Sequence, residues 1–209
     1  MSTDLPFPAA AQKALILASA SPTRLAMLRA AGLDVISQPA RIDEATLRQA
    51  MAAEGAGPHD QADALAEIKA RKIAQRAPDA LVLGADQILS LRGAVFAKPE
   101  TLGEARTQLL ALRGQTHSLH SAAVLYDQGA PIWRHVSTAR LTMRSFSEPY
   151  LDAYLARSWP AISGSVGGYQ IEAEGIRLFD AIEGDHFTIL GLPLLQLLSY
   201  LALRGLIPS

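Results

Sequence analysis

The chain has 209 residues, 49% of them hydrophobic and 19% charged, and it contains no cysteine. At roughly 100–200 residues per domain that length makes one domain, or one domain with two lobes. The missing cysteines exclude a disulfide scaffold, thiolate metal sites and a cysteine nucleophile. Nineteen lysines and arginines against twenty aspartates and glutamates leave a formal charge of −1, which argues against nucleic acid and anionic membranes as partners.

In chain order, residues 1–12 (MSTDLPFPAAAQ) lack the basic start and apolar run of a secretory signal and read as a flexible lead. Residues 13–209 then form a single domain. Ala14–Ala18 reads as a buried strand, and Ser21-Pro22 supplies a capping hydroxyl and an N1 proline for a helix closed by Gly32. Val35–Ser37 is a second short strand, Gln61–Arg76 a helix by the spacing of Leu65, Ile68 and Ile73, and Leu81–Leu83 a strand ending in Gly84-Ala85-Asp86-Gln87. Arg92-Gly93 marks a hairpin, and Leu102–Leu112 is a helix ending near Gly114. His117–Tyr126 and Ile132–Met143 form long strands around Gln128-Gly129, with Ala139, Leu141 and Met143 alternating. Ser147 caps a helix to Ala156, Ser163–Gly175 is a glycine-rich loop, Phe187–Leu190 a short strand, and Leu192–Arg204 the last helix. That final apolar run is broken by Pro193, Gln196, Ser199 and Tyr200 and falls well short of the ~20 residues that span a bilayer. The expectation is an α/β protein of the cytoplasm, with neither nucleic acid nor membrane as partner.

Four places put polar groups where packing alone would not. Ser19, Ser21 and Arg24 surround a helix start, where free backbone N–H groups can cradle phosphate; a plain capped helix with an exposed arginine would look the same. Asp86, at the end of its strand, could hold a divalent cation or orient a water, or simply terminate the strand. Lys69 borders the apolar face of its helix and by itself reads as a solvated surface lysine, while Pro99 keeps the backbone at Lys98 extended. Asp43-Glu44, and Glu172 with Glu174 in the glycine-rich loop, read as loop carboxylates. His117 and His120, three apart on a strand, point to opposite faces, and no HExxH spacing occurs, so a histidine zinc site is not expected. Carboxylates, lysines and an arginine at a helix start suit a polyphosphate with Mg²⁺. No Walker loop and no GxGxxG after the first strand is present.

The succession LASASPTR (17–24), IDE (42–44), LAEIKA (65–70), GADQ (84–87), KP (98–99), LRGQTH (112–117), EAEG (172–175) and GLPL (191–194) resembles the Maf nucleotide pyrophosphatase family over about residues 14–204. The resemblance implies a cytoplasmic hydrolase dependent on a divalent cation, Mg²⁺ or Mn²⁺. Its substrate would be a nucleoside triphosphate, split between the α and β phosphates into nucleoside monophosphate and pyrophosphate. It also implies an elongated, twisted mixed β-sheet flanked by helices, with two lobes around a central cleft, similar to the ITPase fold, and a homodimer. Carried over by position, Asp86 is the proton acceptor, Ser19, Ser21, Arg24, Lys69 and Lys98 handle phosphate, and Glu44 joins Asp86 as a metal ligand.

The chain departs from one common family pattern, which has SPRR where this chain has Thr23, GADT where it has Gln87, and Gln where it has Glu172. Gln87 with Glu172 resembles the branch acting on 7-methyl-GTP, and Thr23 matches neither branch. These three residues are expected to set base choice. Two other readings are a house-cleaning triphosphatase for deaminated purines and a nucleotide-binding regulator of cell division without significant catalysis.

Overall fold

The computed structural model describes residues 13–208, so the N-terminal lead lies outside the described residues. Seven strands form one mixed sheet in the order β2-β1-β3-β5-β6-β7, with β4 paired to the far part of β3. The strands are β1 (Leu15–Leu17), β2 (Val35–Ser37), β3 (Leu81–Leu91), β4 (Ala94–Phe96), β5 (Thr116–Asp127), β6 (Ala130–Met143) and β7 (Phe179–Glu183). β1 runs parallel to β2 and β3, and the remaining pairings are antiparallel. The helices are α1 (Pro22–Ala30), α2 (Glu44–Ala53), α3 (Pro58–Ala74), α4 (Leu102–Leu112), α5 (Glu148–Ser158), α6 (His186–Ile189) and α7 (Leu194–Leu203). This is the mixed α/β class expected from the sequence. No helix among the described residues is long and apolar enough to cross a membrane.

The two-residue period of β3 divides the core. Val82 and Ile88 pack with Ala62, Leu65 and Ile73 of α3 on one face, while Leu81, Leu83 and Ala85 pack with α1 and α7 on the other. A third cluster joins Leu89 to α4, α5 and the β5–β6 hairpin. That hairpin turns through Gln128 (φ 49) and Gly129 (φ 77), and the β3–β4 turn through Arg92 (φ 51) and Gly93 (φ 85). Two consecutive left-handed residues match the right-handed twist of the flanking strands.

Three sequence expectations are corrected. First, β3 does not stop at Leu83: β5 pairs with it continuously from Val82 to Ser90, so Asp86 lies in mid-strand. Interior glycine and aspartate interrupt the apolar pattern without interrupting the ladder. Second, Phe187–Leu190 is no strand. Asp185 accepts a hydrogen bond from the Thr188 N–H at 2.8 Å and starts the short helix α6, while the unforeseen strand at this end of the sheet is β7, paired to β6. Third, Asp43-Glu44 is not in a loop: Asp43 accepts from the Thr46 N–H and caps α2, so Glu44 opens that helix. Elsewhere the expected β1–α1 unit, α3, α4, α5 and α7 are present within a few residues, and Ser163–Gly175 is a loop of short 3₁₀ turns.

Candidate active site

The site begins with a glycine. A Cβ on Gly84 would lie 2.0 Å from the Ala66 carbonyl oxygen and 2.7 Å from the Ala70 nitrogen, so only glycine lets α3 lie this close to β3. That approach puts Lys69, one residue before Ala70, against Asp86, two residues after Gly84 on the same face. Lys69 is therefore no surface lysine, being 7% exposed, and Asp86 is 4% exposed. The Lys69 Nζ lies 2.6 Å from Asp86 Oδ1 and 2.7 Å from Glu44 Oε1, bridging two carboxylates brought by separate elements. Asp86 Oδ2 is buried and has no hydrogen-bond partner.

The charges decide how these groups titrate. Burial pushes the Asp86 carboxyl above its ordinary range, against the opposing pull of Lys69 and Arg24. Burial also works against the Glu44 charge, but Lys69, Arg48 and Lys98 together outweigh it and hold Glu44 below its ordinary value. Two neighbouring carboxylates are thus pushed apart, the pattern that separates acid and base roles.

Arg24 projects from the first turn of α1, is 9% exposed, and ties three stretches of chain together. Its Nε donates to the Gly191 carbonyl at 2.7 Å, and one Nη donates at 3.1 Å to both the Ala85 carbonyl and Ser19 Oγ. Gly191 has φ +100, and a Cβ there would lie 3.3 Å from the guanidinium. Ser21 Oγ accepts from the Arg24 backbone N–H at 3.3 Å as the α1 cap. Lys98 lies in the same cavity wall, two residues past the end of β4, and is exposed; desolvation and the nearby Arg24 lower its pKa, with Glu44 opposing.

These groups line one cavity of about 1170 Å³. It collects Ser19, Ser21, Thr23, Arg24, Glu44, Lys69, Asp86, Gln87, Lys98 and Glu172, whereas Asp43 and Glu174 are not part of its lining. The three positions expected to set base choice differ in their freedom. Gln87 Nε2 donates to Ser121 Oγ and to the Thr188 and Ile189 carbonyls at 2.9–3.1 Å, which pins α6. Glu172 is exposed and has no ion-pair partner among the described residues, whereas Glu174 faces Arg157. Sequence reasoning missed Arg41, Arg48 and Trp159 in the cavity wall. Arg48 was detectable by its i,i+4 spacing from Glu44, whose Oε2 is 3.4 Å away. His117 and His120 diverge as expected, His117 bonding Tyr169 inside the core and His120 bonding Ser90 and Thr138.

Residues 14–203 match the Maf-like proteins. The chain belongs to the Maf family. It is 55% identical over 193 residues to a nucleoside triphosphate pyrophosphatase 1 of a Jannaschia species, covering 92% of this chain and 98% of that one. It is 54% identical to a nucleoside triphosphate pyrophosphatase of Roseobacter denitrificans, with 93% and 98% covered. A 7-methyl-GTP pyrophosphatase of Mesorhizobium japonicum is 52% identical, with 92% and 97% covered. Among solved structures, a nucleoside-triphosphatase (dITP/XTP pyrophosphatase) from Mycobacterium abscessus is similar at 16% identity and a TM-score of 0.43, covering 93% of this Maf chain and 97% of its own.

Proposed function

We propose that this Maf-family chain hydrolyses nucleoside triphosphates between the α and β phosphates, giving a nucleoside monophosphate and pyrophosphate, with 7-methyl-GTP as its preferred substrate. The observation that carries the reading is the unpartnered, buried Oδ2 of Asp86 at the wall of a cavity that also gathers Lys69, Arg24 and Lys98. An orphaned carboxylate oxygen among cations suits a group that takes a proton from water beside a polyphosphate. The relative from Jannaschia, a nucleoside triphosphate pyrophosphatase, supports the reaction, and the one from Mesorhizobium, a 7-methyl-GTP pyrophosphatase, supports the substrate.

In this reading Ser19, Ser21, Arg24, Lys69 and Lys98 bind phosphate. The two hydroxyls lie beside the N-terminus of α1, whose free N–H groups attract anions. Arg24 is held by its Nε and one Nη, so its charge is fixed in position before substrate arrives. Water adds to phosphorus, its proton passes to Asp86 Oδ2, and the anhydride P–O bond breaks. Lys98 and Arg24 neutralise the charge that collects on the departing oxygens.

Glu44 and Asp86 would hold Mg²⁺ or Mn²⁺. Both offer hard carboxylate oxygens, the donors such cations take, and in this reading Asp86 Oδ2 is kept for the proton. No group of three or more histidine, aspartate or glutamate side chains converges among the described residues. Two protein carboxylates, with phosphate oxygens and water completing the sphere, are what Mg²⁺ sites at phosphates use. When bound, the ion supplies positive charge to the phosphate oxygens.

Thr23, Gln87 and Glu172 set base choice in this reading. The Glu172 carboxylate can accept from the ring N–H and amino group of a guanine, and its charge favours the cationic 7-methylated ring over uracil or thymine. The test is pyrophosphate release from 7-methyl-GTP, GTP, ITP, UTP and dTTP, with Mg²⁺, with Mn²⁺ and with a chelator. Release that needs metal and has its highest kcat/KM for 7-methyl-GTP is expected. A preference for ITP would support the deaminated-purine reading, and binding without release would support the regulator.

A further inference from the structure

Two aromatic side chains line the cavity among the described residues, Trp159 and Tyr169. Tyr169 is committed elsewhere. It is 5% exposed, its hydroxyl is hydrogen-bonded to His117 at 2.7 Å, and its ring meets Phe179 edge to face with centroids 4.9 Å apart. Gly167 closes over it so tightly that a Cβ there would come within 2.8 Å of the ring. Trp159 differs. It stands at the C-terminus of α5, its N–H donating to the Leu155 carbonyl, and it is only half-buried, leaning on the core cluster of α4 and α5.

The neighbourhood of Trp159 joins it to the loop that bears Glu172. Gln170 Nε2 donates to the Ala161 carbonyl at 3.2 Å, fastening residues 159–161 to residues 170–172. An indole with free surface and an unpaired carboxylate therefore lie in two adjoining segments of one wall. The cations Arg24, Lys69 and Lys98 are supplied by α1, α3 and the end of β4.

We propose that Trp159 is the stacking surface for the base, and that with Glu172 it makes the cavity selective for a cationic purine such as 7-methylguanine. An indole face attracts a cationic ring electrostatically, in addition to the apolar area that stacking hides. Glu172 satisfies the base edge. A neutral pyrimidine gains neither the charge nor the full overlap. The inference rests on the reading of the site as a nucleotide pyrophosphatase and adds the side chain that grips the base.

The other tryptophan, Trp133, is outside the cavity, stacked between His135 and Tyr200. A Trp133→Phe variant therefore leaves Trp159 as the sole indole reporter. Titrating that variant with 7-methyl-GMP, which has no pyrophosphate to lose, should quench its fluorescence saturably, GMP should quench it less, and UMP least. Trp159→Ala should raise KM for 7-methyl-GTP about tenfold with kcat within about twofold, and leave KM for UTP unchanged, with Trp159→Phe in between. Unquenched Trp159 in an enzyme that still releases pyrophosphate from 7-methyl-GTP would overturn this inference and leave the proposed reaction standing. An equal rise in KM for both nucleotides would also overturn it, because a wall that merely collapses does not discriminate. A wild-type protein that releases pyrophosphate from none of these nucleotides would overturn both.

Discussion

Asp86 is held between opposing influences: burial raises its proton affinity, and Lys69 and Arg24 lower it. Asp86→Asn keeps the shape and removes the basic oxygen. It should lower kcat by about 10²–10⁴, the usual contribution of a general base, with an unchanged circular dichroism spectrum. Lys69→Met should lower activity by removing a phosphate-binding charge and should also cost stability, about 3 kcal/mol, because the buried Asp86 carboxylate loses its paired cation. The sign with pH follows from Asp86. Without Lys69 its folded-state pKa rises further, so the lost stability returns as pH falls and the carboxyl is neutralised. Urea unfolding of the Lys69→Met variant at pH 8 and pH 5 should show the deficit shrinking at the lower pH. At the exposed end of the site, Glu172→Gln should reduce kcat/KM for 7-methyl-GTP relative to UTP about tenfold, the value of one hydrogen bond to a charged group; an unchanged ratio would remove Glu172 from base recognition.

At the scale of elements, the contact that builds the site is α3 on β3, and Gly84 sets its distance. Gly84→Ala should destabilise the fold by about 3 kcal/mol or more, as overpacking against backbone does, and should lower activity in whatever fraction still folds. Urea midpoints and specific activity on the same samples would measure both. The sequence reveals the β1–α1 unit because Ser21-Pro22 is a local signal, fixed by capping chemistry and the proline ring. It hides the length of β3, because Gly84 and Asp86 look like terminators to a periodicity argument, whereas the partners that make them strand residues are Val124 and Ala122. Burial of Lys69 was unreadable for the same reason: on its own helix it borders the apolar face, and the two carboxylates that make its burial tolerable come from residues 25 positions before and 17 after it. The four-residue α6 is too short for any period to distinguish helix from strand. The chemistry-bearing residues were legible as types and order, while Trp159, an aromatic at the end of an ordinary amphipathic helix, carried no signal that separates a wall residue from a core one.

For the whole molecule, a group that makes stability depend on pH is His117 on β5, 1% exposed, bonded to Tyr169 and close to Phe179. Burial pushes its pKa down to about 4. Folding therefore favours the neutral ring. That contribution is complete above the ordinary value of about 6.5 and is lost as pH falls towards 4, amounting to about 3 kcal/mol across the window. Asp86 titrates with the opposite sign, so the His117 share is read by difference. Unfolding free energies of wild type and His117→Gln between pH 7.5 and 4.5 should converge as the medium becomes more acidic. A constant gap would show that His117 does not titrate in the folded protein.

Arg24 fastens the opening turn to Gly191, 167 positions later, and to Ala85 in the middle of the sheet. A chain cut short before Gly191 would retain all seven strands yet leave the Arg24 Nε without its acceptor, while the hydrogen bonds to Ala85 and Ser19 remain. The placement of that charge is thereby a property of the whole stretch of chain from Ser19 to Gly191.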